Sequence, residues 1–140
     1  MKALIAIDGS KTSERAVRHV IELSKGREAI EVHLINVQDT ADAPQLKRFL
    51  KGGDITRMQR EHGVSTLATA ARLLDRAGIE HKTHVLIGNP AQSIARFAKR
   101  GRFSQIIMGA HGRGMVAGLL MGSVATKVLH FADIPVTLVK

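Results

Sequence analysis

The chain has 140 residues, a formal net charge of +9 and no cysteine. Its length suits a single domain with a real core, and 44% hydrophobic beside 24% charged residues is ordinary for a globular protein. The lack of cysteine excludes disulfides and thiolate metal sites. No apolar run approaches the length of a bilayer span and no signal peptide precedes the first strand, so we expect a cytoplasmic protein without membrane contact.

The positive charge favours an anionic partner, since 21 Lys and Arg stand against 12 Asp and Glu. Most of the basic residues are spread along the chain, as on a solvated surface. Nucleic acid is the obvious macromolecular candidate, but the chain has no Trp or Tyr and only four Phe to stack on bases. The composition therefore disfavours nucleic acid and leaves a protein partner open.

The first half of the chain alternates between strand and helix patterns. A short apolar run at 2–8 predicts a buried strand. Apolar residues at helical spacing predict a helix next, with Thr12 or Ser13 as its N-cap and Gly26 at its end. Residues 30–37 predict the second strand.

Residues 38–60 are the least regular part of the sequence. They are rich in charge and contain Pro44 and Gly52-Gly53, which predicts a loop with some helix. Helical periodicity returns at Val64 and continues to Gly78.

The second half repeats the alternation. Residues 83–87 predict the third strand, and Asn89 can cap a helix that has Pro90 in its first position and ends at Gly101. Residues 105–108 predict the fourth strand. The remaining predicted elements are a helix at 123–131 and a last strand at 136–139.

Five strands that alternate with four helices predict a single α/β domain over residues 1–140. Its sheet should be open and parallel, with right-handed crossovers and helices on both faces, as in Rossmann-like folds. If the chain returns to the other side of strand 1 after strand 3, the strand order is 3-2-1-4-5. Ligands of such sheets bind outside the carboxyl ends of the strands at the switch point, here between strands 1 and 4.

The loops at that switch point are Asp8-Gly9-Ser10 and the glycine-rich stretch 109–123. Glycines let a ligand lie against main-chain N–H groups, and Ser123 stands where the next helix begins, at a partially positive N-terminus. The stretch therefore predicts a phosphate-binding loop. Its five glycines are Gly109, Gly112, Gly114, Gly118 and Gly122.

The spacing of these glycines excludes the two commonest phosphate loops. A Walker A loop needs Lys and Ser or Thr after its last glycine, and a dinucleotide fingerprint needs GxGxxG; neither is present. The pattern Gly109-x2-Gly112-x9-Gly122-Ser123 resembles the signature of the universal stress protein family, in the subgroup that binds ATP. The similarity extends over nearly the whole chain, from ALIAIDGS to LLMGSVATKVLHFADIPVTLVK, and leaves only residues 38–60 unplaced.

The resemblance implies that the protein binds ATP. It implies that Asp8 lies near the ribose or a bound Mg²⁺ (or Mn²⁺) and that the Val37 backbone lies against adenine. The loop residues Gly9, Ser10 and Arg113 complete the expected site. The triphosphate would lie over Gly109, Gly112, Gly122, Ser123 and the Val124 N–H.

Each of these residues also has a purely structural interpretation. Asp8 could cap its turn, Ser123 could be an ordinary N-cap, and Arg113 could be an exposed loop residue. His111 lies in the same loop and is a weaker candidate for phosphate contact or proton transfer. The other histidines are scattered, and His81 and His84 should face opposite sides of a strand, so no transition-metal site is expected.

Two function classes fit this crevice. A nucleotide-binding regulator is favoured over a phosphohydrolase or phosphotransferase, because the P-loop lysine is missing and no general base is evident. A third class, a relative that only dimerises or scaffolds, would not need the glycines. The order 3-2-1-4-5 leaves strand 5 at an edge of the sheet, and the resemblance implies a homodimer joined through these last strands.

Overall fold

The computed structural model describes residues 1–26, 29–40, 51–112 and 121–140. The described residues form five strands and four helices that alternate along the chain. In order, the elements are β1 (Lys2–Ala6), α1 (Lys11–Ser24), β2 (Glu31–Asp39), α2 (Gly52–Arg76), β3 (His81–Gly88), α3 (Pro90–Arg100), β4 (Gln105–Gly109), α4 (Ser123–Phe131) and β5 (Val136–Val139).

All neighbouring strands of the sheet are parallel, and their order is β3-β2-β1-β4-β5. The predicted fold class and strand order are therefore confirmed. β1 is the central strand: Ala3 pairs with Val32 of β2 on one side and with Gln105 of β4 on the other. The carboxyl ends of β1 and β4 thus meet at the predicted switch point.

Each face of the sheet is covered by one apolar layer, because successive side chains of a strand point to opposite faces. Ile5 and Leu34 pack with the α1 and α2 side chains, whereas Leu4 and Ile35 pack with those of α3 and α4. Successive apolar residues along a strand are favourable only when both faces of the sheet are buried, as in parallel sheets. Among the described helices, none is long and apolar enough to cross a bilayer.

The predicted starts of the last two helices are confirmed. Asn89 caps α3 by accepting a hydrogen bond from the Gln92 N–H at 3.1 Å, and Pro90 occupies the first helical position. α4 begins at Ser123, with Gly122 as its N-cap residue. Both starts depend on neighbouring residues alone, which explains why the sequence predicts them well.

The predicted N-cap of the first helix is wrong. Ser10, rather than Thr12 or Ser13, has the extended backbone of a cap residue, and its Oγ accepts from the Ser13 N–H at 3.2 Å. The Ser13 hydroxyl donates back to the Ser10 carbonyl at 2.8 Å. The helix ends at Ser24, two residues before Gly26.

The prediction for residues 38–60 needs correction at both ends. β2 continues to Asp39, and α2 begins at Gly52, twelve positions before Val64. Residues 41–50 lie outside the described part. The early turns of α2 are hidden from apolar periodicity because a polar residue and a glycine, Gln59 and Gly63, take buried positions.

Gly63 is required for close packing between α2 and the sheet. A Cβ at this position would lie 2.4 Å from Cγ1 of Val85. Gln59 is 6% exposed, and its side-chain amide donates to the Asp39 carbonyl at 3.3 Å. The helix therefore supports the end of β2 at the edge where the candidate site lies.

Candidate functional site

The turn after β1 places Asp8 at the carboxyl edge of the sheet. Gly9 has φ +84°, a conformation that favours glycine, and the Ser10 N–H donates to Oδ1 of Asp8 at 2.9 Å. Asp8 therefore stabilises its own turn, the structural interpretation considered above. Its second oxygen, Oδ2, faces the loop after β4, as the next contacts show.

The segment after β4 packs against the first turn of α1. A Cβ on Gly109 would lie 2.5 Å from Oγ1 of Thr12 and 2.9 Å from the Thr12 carbonyl carbon. The Thr12 hydroxyl donates a hydrogen bond to the His111 carbonyl. Ser10 Oγ lies 3.2 Å from Thr12 Oγ1 and extends this contact to the N-cap. The start of α1 thus holds the glycine segment in place.

The two described ends of the glycine loop touch each other. The Gly122 N–H donates to the Ala110 carbonyl at 2.7 Å, and a Cβ on Gly122 would lie 3.2 Å from the Gly112 nitrogen. A Cβ on Gly112 would lie 2.7 Å from Oδ2 of Asp8. Neither Gly112 nor Gly122 has a positive φ. The requirement at both positions is therefore space for close approach and not an unusual backbone conformation.

The N-terminus of α4 opens beside this contact. Gly122 has φ −72° and ψ 160°, and it has no side chain to cap the helix. The first N–H groups of a helix have no intrahelical acceptor, and they carry partial positive charge. Ser123 and Val124 are exposed at this point. The loop and the helix start together present main-chain donors to one space.

That space is a cleft of about 440 Å³ at the switch point between β1 and β4. Most of the predicted site residues line it. Gly9 and Ser10 do not; they build the turn behind Asp8. Arg113, Gly114 and Gly118 lie outside the described residues. The predicted residues that line the cleft are Asp8, Val37, Gly109, Gly112, Gly122, Ser123 and Val124, together with the weaker candidate His111.

Comparison with known proteins assigns the chain to a family. The model of the Universal stress protein family matches residues 1–140. The chain belongs to this family. Universal stress protein MJ0531 of Methanocaldococcus jannaschii is 32% identical over 139 residues, which are 99% of this chain and 81% of that protein. The chain spans 41% to 43% of the length of several other curated relatives.

Solved structures agree with the family assignment. The structure of MJ0577, also from M. jannaschii, has a TM-score of 0.87 and 29% identity, covering 99% of this chain and 94% of that one. A universal stress protein from Archaeoglobus fulgidus in complex with dAMP has a TM-score of 0.69 and 24% identity, covering 100% and 98%. The second likeness shows a shared fold.

The cleft of this family member has an apolar wall that sequence reasoning missed. Ile35, Ile94, Met108 and Met121 line it beside Val37. Met108 directly precedes Gly109, and Ile35 and Val37 share one face near the end of β2. For Met108 and Ile35, the available sequence signal was their position near the carboxyl ends of predicted strands. Ile94 comes from α3 and could be assigned only once the packing of that helix on the sheet was known.

Two polar residues of β2 also line the cleft and were missed. Asn36 is 5% exposed, and its amide donates to the Ile7 carbonyl at 2.8 Å, so it fixes the end of β1 against β2. Asp39 lies at the end of β2 and adds a second carboxylate to the lining of the cleft. Among the described lining residues there is no Lys or Arg.

Proposed function

We propose that this universal stress protein binds ATP together with Mg²⁺ or Mn²⁺ and acts as a nucleotide-dependent regulator in a stress response. The main observation that supports nucleotide binding is the contact between Gly122 and residues 110–112, which brings the glycine loop and the N-terminus of α4 together. Main-chain donors at a helix start are suited to a polyphosphate.

The proposed orientation follows from the polarity of the cleft. The triphosphate lies over Gly109, Gly112, Gly122 and the N–H groups of Ser123 and Val124. The adenine lies at the apolar end, against Val37. A volume of about 440 Å³ is within the range of small-ligand and cofactor sites.

The divalent ion follows from the acidic residue beside the loop. Oδ2 of Asp8 faces Gly112, where the phosphates would lie, and a carboxylate next to a polyphosphate is unfavourable without a cation. Hard oxygen ligands of this kind suit Mg²⁺, which binds through one or two carboxylates together with substrate phosphates. Asp8 is the proposed protein ligand, directly or through water.

The dAMP complex of the A. fulgidus relative supports an adenine nucleotide as the ligand class. The choice of ATP over other adenine nucleotides rests on the resemblance of the Gly109-x2-Gly112-x9-Gly122-Ser123 spacing to the signature of the ATP-binding subgroup. Regulation is favoured over catalysis because phosphoryl transfer requires a positioned base and charge clamps, and the sequence of the glycine loop lacks the P-loop lysine.

Calorimetric titration tests this proposal, with ATP, ADP, AMP and GTP each added in the presence of Mg²⁺. We expect ATP to bind with micromolar or tighter affinity, AMP more weakly, and GTP weakest. The ATP samples should then be analysed for ADP, where slow or absent turnover is expected. Equal affinity for ATP and GTP would contradict the adenine assignment, and rapid multiple turnover would make the protein an enzyme.

We further propose a homodimer that forms through β5. This strand pairs with β4 on one side and lies at the edge of the sheet, so its other ladder groups have no strand partner in the described part of the chain. The four residues of Val136–Val139 are half-buried, and β5 lacks the charges that usually protect an edge strand. Antiparallel pairing of two such strands across a two-fold axis would satisfy both edges.

Sedimentation equilibrium tests the dimer. We expect twice the 15.2 kDa chain mass at micromolar concentration and dissociation in Thr137→Lys or Leu138→Lys. Thr56→Lys, on the exposed surface of α2, is a matched control that should stay dimeric. A single-chain mass of the parent protein throughout the micromolar range would contradict the proposal.

A further inference from the structure

Two histidines that are distant in the sequence meet on the α3–α4 side of the sheet. Nδ1 of His33 on β2 lies 2.8 Å from Nε2 of His84 on β3. The two rings are nearly parallel, with an interplanar angle of 5° and centroids 5.1 Å apart. His33 is 5% exposed. His33 lies near the amino end of β2, and His84 lies in the middle of β3. Neither ring lines the nucleotide cleft, although Ile35, the register partner of His84, does.

The second nitrogen of the buried ring is bonded to an acid. Nε2 of His33 lies 2.8 Å from Oε1 of Glu31, which is half-exposed. The Nζ atoms of Lys2 and Lys82 lie 4.0 Å and 3.9 Å from the same oxygen. A continuous hydrogen-bonded chain therefore runs from a surface carboxylate through His33 to His84.

The aromatic side chains of α3 and of the loop that follows it pack on this pair. The Phe103 ring meets His33 edge-on at 4.8 Å, and the Phe97 ring lies 4.6 Å from His84. The two Phe rings are 5.8 Å apart, and Lys2 Nζ lies 4.6 Å above Phe103. The histidine pair is thus part of the surface that holds the carboxyl-terminal half of α3, beside the apolar core in which Ala98 is buried.

The number of protons on the two imidazole rings decides whether the hydrogen bond between His33 and His84 can persist. With both rings neutral, His33 donates from Nε2 to Glu31 and accepts at Nδ1 from the His84 Nε2–H. With one added proton, His33 donates from both nitrogens and His84 accepts at Nε2. A second added proton places N–H against N–H and two cations in contact, so the 2.8 Å bond cannot persist.

We propose that Glu31, His33 and His84 form an acid-sensitive latch, which holds the carboxyl-terminal half of α3 on the sheet near neutral pH and releases it when both imidazoles are protonated. We call these three residues the histidine latch. The latch lies outside the lining of the nucleotide cleft and does not depend on the proposed function.

Burial and the positive charges around the histidine latch all disfavour a proton on His84. Burial is the largest cause that lowers the pKa of His84, followed by the charges of His33, Lys82 and Lys2. The hydrogen bond from His33 is the largest cause that lowers the pKa of Glu31, so this carboxylate stays charged while the rings titrate. α3 and the following loop face the pair with the uncharged rings of Phe97 and Phe103.

The sign of the pH effect follows from these directions. His84 binds a proton more weakly in the folded chain than at its ordinary pKa of 6.5, so the unfolded or locally open state binds more protons as the pH falls. Stability of the closed state is therefore lost as the pH falls through that value. Glu31, whose ordinary value is 4.5, adds a loss only at lower pH.

Two measurements on the full chain without nucleotide test the latch. The first follows ¹⁵N shifts of the imidazole rings, and the second follows amide-exchange protection of α3, corrected for intrinsic exchange at each pH. Between pH 7.5 and 5.5 we expect protection of the last turns of α3 to fall by about tenfold, as expected for the loss of one buried hydrogen bond. The loss should follow the second imidazole protonation.

His84→Phe keeps a ring against Phe97 but removes the second charge, so its α3 protection should change little with pH. His62→Phe, at an exposed histidine of α2, should behave as the parent does. If His84→Phe does not fold, the parent titration decides alone. Unchanged α3 protection while both rings of the parent are protonated would overturn the proposal, as would parental pH dependence in folded His84→Phe.

Discussion

The α3–α4 side of the sheet has two ends that are stabilised in different ways. At the carboxyl ends of the strands, main-chain atoms of Gly112 and Gly122 approach each other, with no side chain between them. Nearer the amino end of β2, His33 and His84 meet through side-chain rings and hydrogen bonds. The first end should therefore respond to added side-chain volume, and the second to added protons. The predictions below test the first of these two ends, through its volume, its charge and its hydrogen bonding.

The largest expected effect is that of volume added at the glycine contact. In Gly122→Val, the Cβ would lie 3.2 Å from the Gly112 nitrogen, and its branches would need space that neighbouring main chain occupies. We expect ATP affinity to fall by at least about 30-fold, on the order of 2 kcal/mol, when measured by calorimetry. Gly112→Val, facing Asp8, should behave similarly.

Gly53→Val is the control for this substitution, because a Cβ on Gly53 meets nothing within 4 Å. Thermal unfolding of each variant separates loss of the site from loss of the fold. If folded Gly112→Val and Gly122→Val both bind ATP as the parent does, the glycine contact is not the nucleotide site.

An intermediate effect is expected from the charge of Asp8. Asp8→Asn keeps an oxygen that can accept from the Ser10 N–H but removes the charge proposed to hold the metal. ATP affinity in Mg²⁺ should fall by roughly tenfold, about 1.4 kcal/mol. In EDTA, the parent and the variant should differ much less. An equal loss with and without Mg²⁺ would assign Asp8 to the turn alone.

The smallest expected effect concerns the one side chain that supports the main chain of the loop. Thr12→Val removes the hydroxyl that donates to the His111 carbonyl and keeps the branched shape that packs on Gly109. The loss of one hydrogen bond costs about 1 kcal/mol, so we expect ATP affinity to fall by about fivefold. Thr12→Ser should restore most of it; failure to do so would show that the methyl group matters instead.

Features set by neighbouring residues were predictable from the sequence. Asn89 before Pro90 predicted the start of α3, and Gly122 before Ser123 predicted the start of α4. Alternation and the rules of crossover connections predicted a parallel sheet, and the further assumption that the chain returns to the other side of strand 1 after strand 3 predicted the strand order and the place of the cleft. The glycine spacing then selected Gly109, Gly112, Gly122 and Ser123, all of which line the cleft.

Features set by distant residues were not predictable. Gly63 interrupts an apolar pattern because Val85 packs directly against it, and this neighbour lies in another element. His33 and His84 are 51 residues apart, and neither has a local sequence signal for the other. Ser10 could be recognised as the cap of α1 only from its backbone, since Thr12 and Ser13 are chemically equivalent candidates.

The central position of β1 also has a consequence for synthesis of the chain. The N–H of Lys2 donates to Ser104 Oγ at 3.0 Å, across a separation of 102 residues, and the Ser104 N–H donates to the Lys2 carbonyl at 2.8 Å. β1 is therefore made before β4 but cannot be enclosed until β4 follows it. At about 5 to 20 residues per second, a ribosome leaves the backbone N–H and C=O groups on one edge of β1 without their β4 partners for roughly 5 to 20 seconds, during which this edge is open to chaperones or to aggregation.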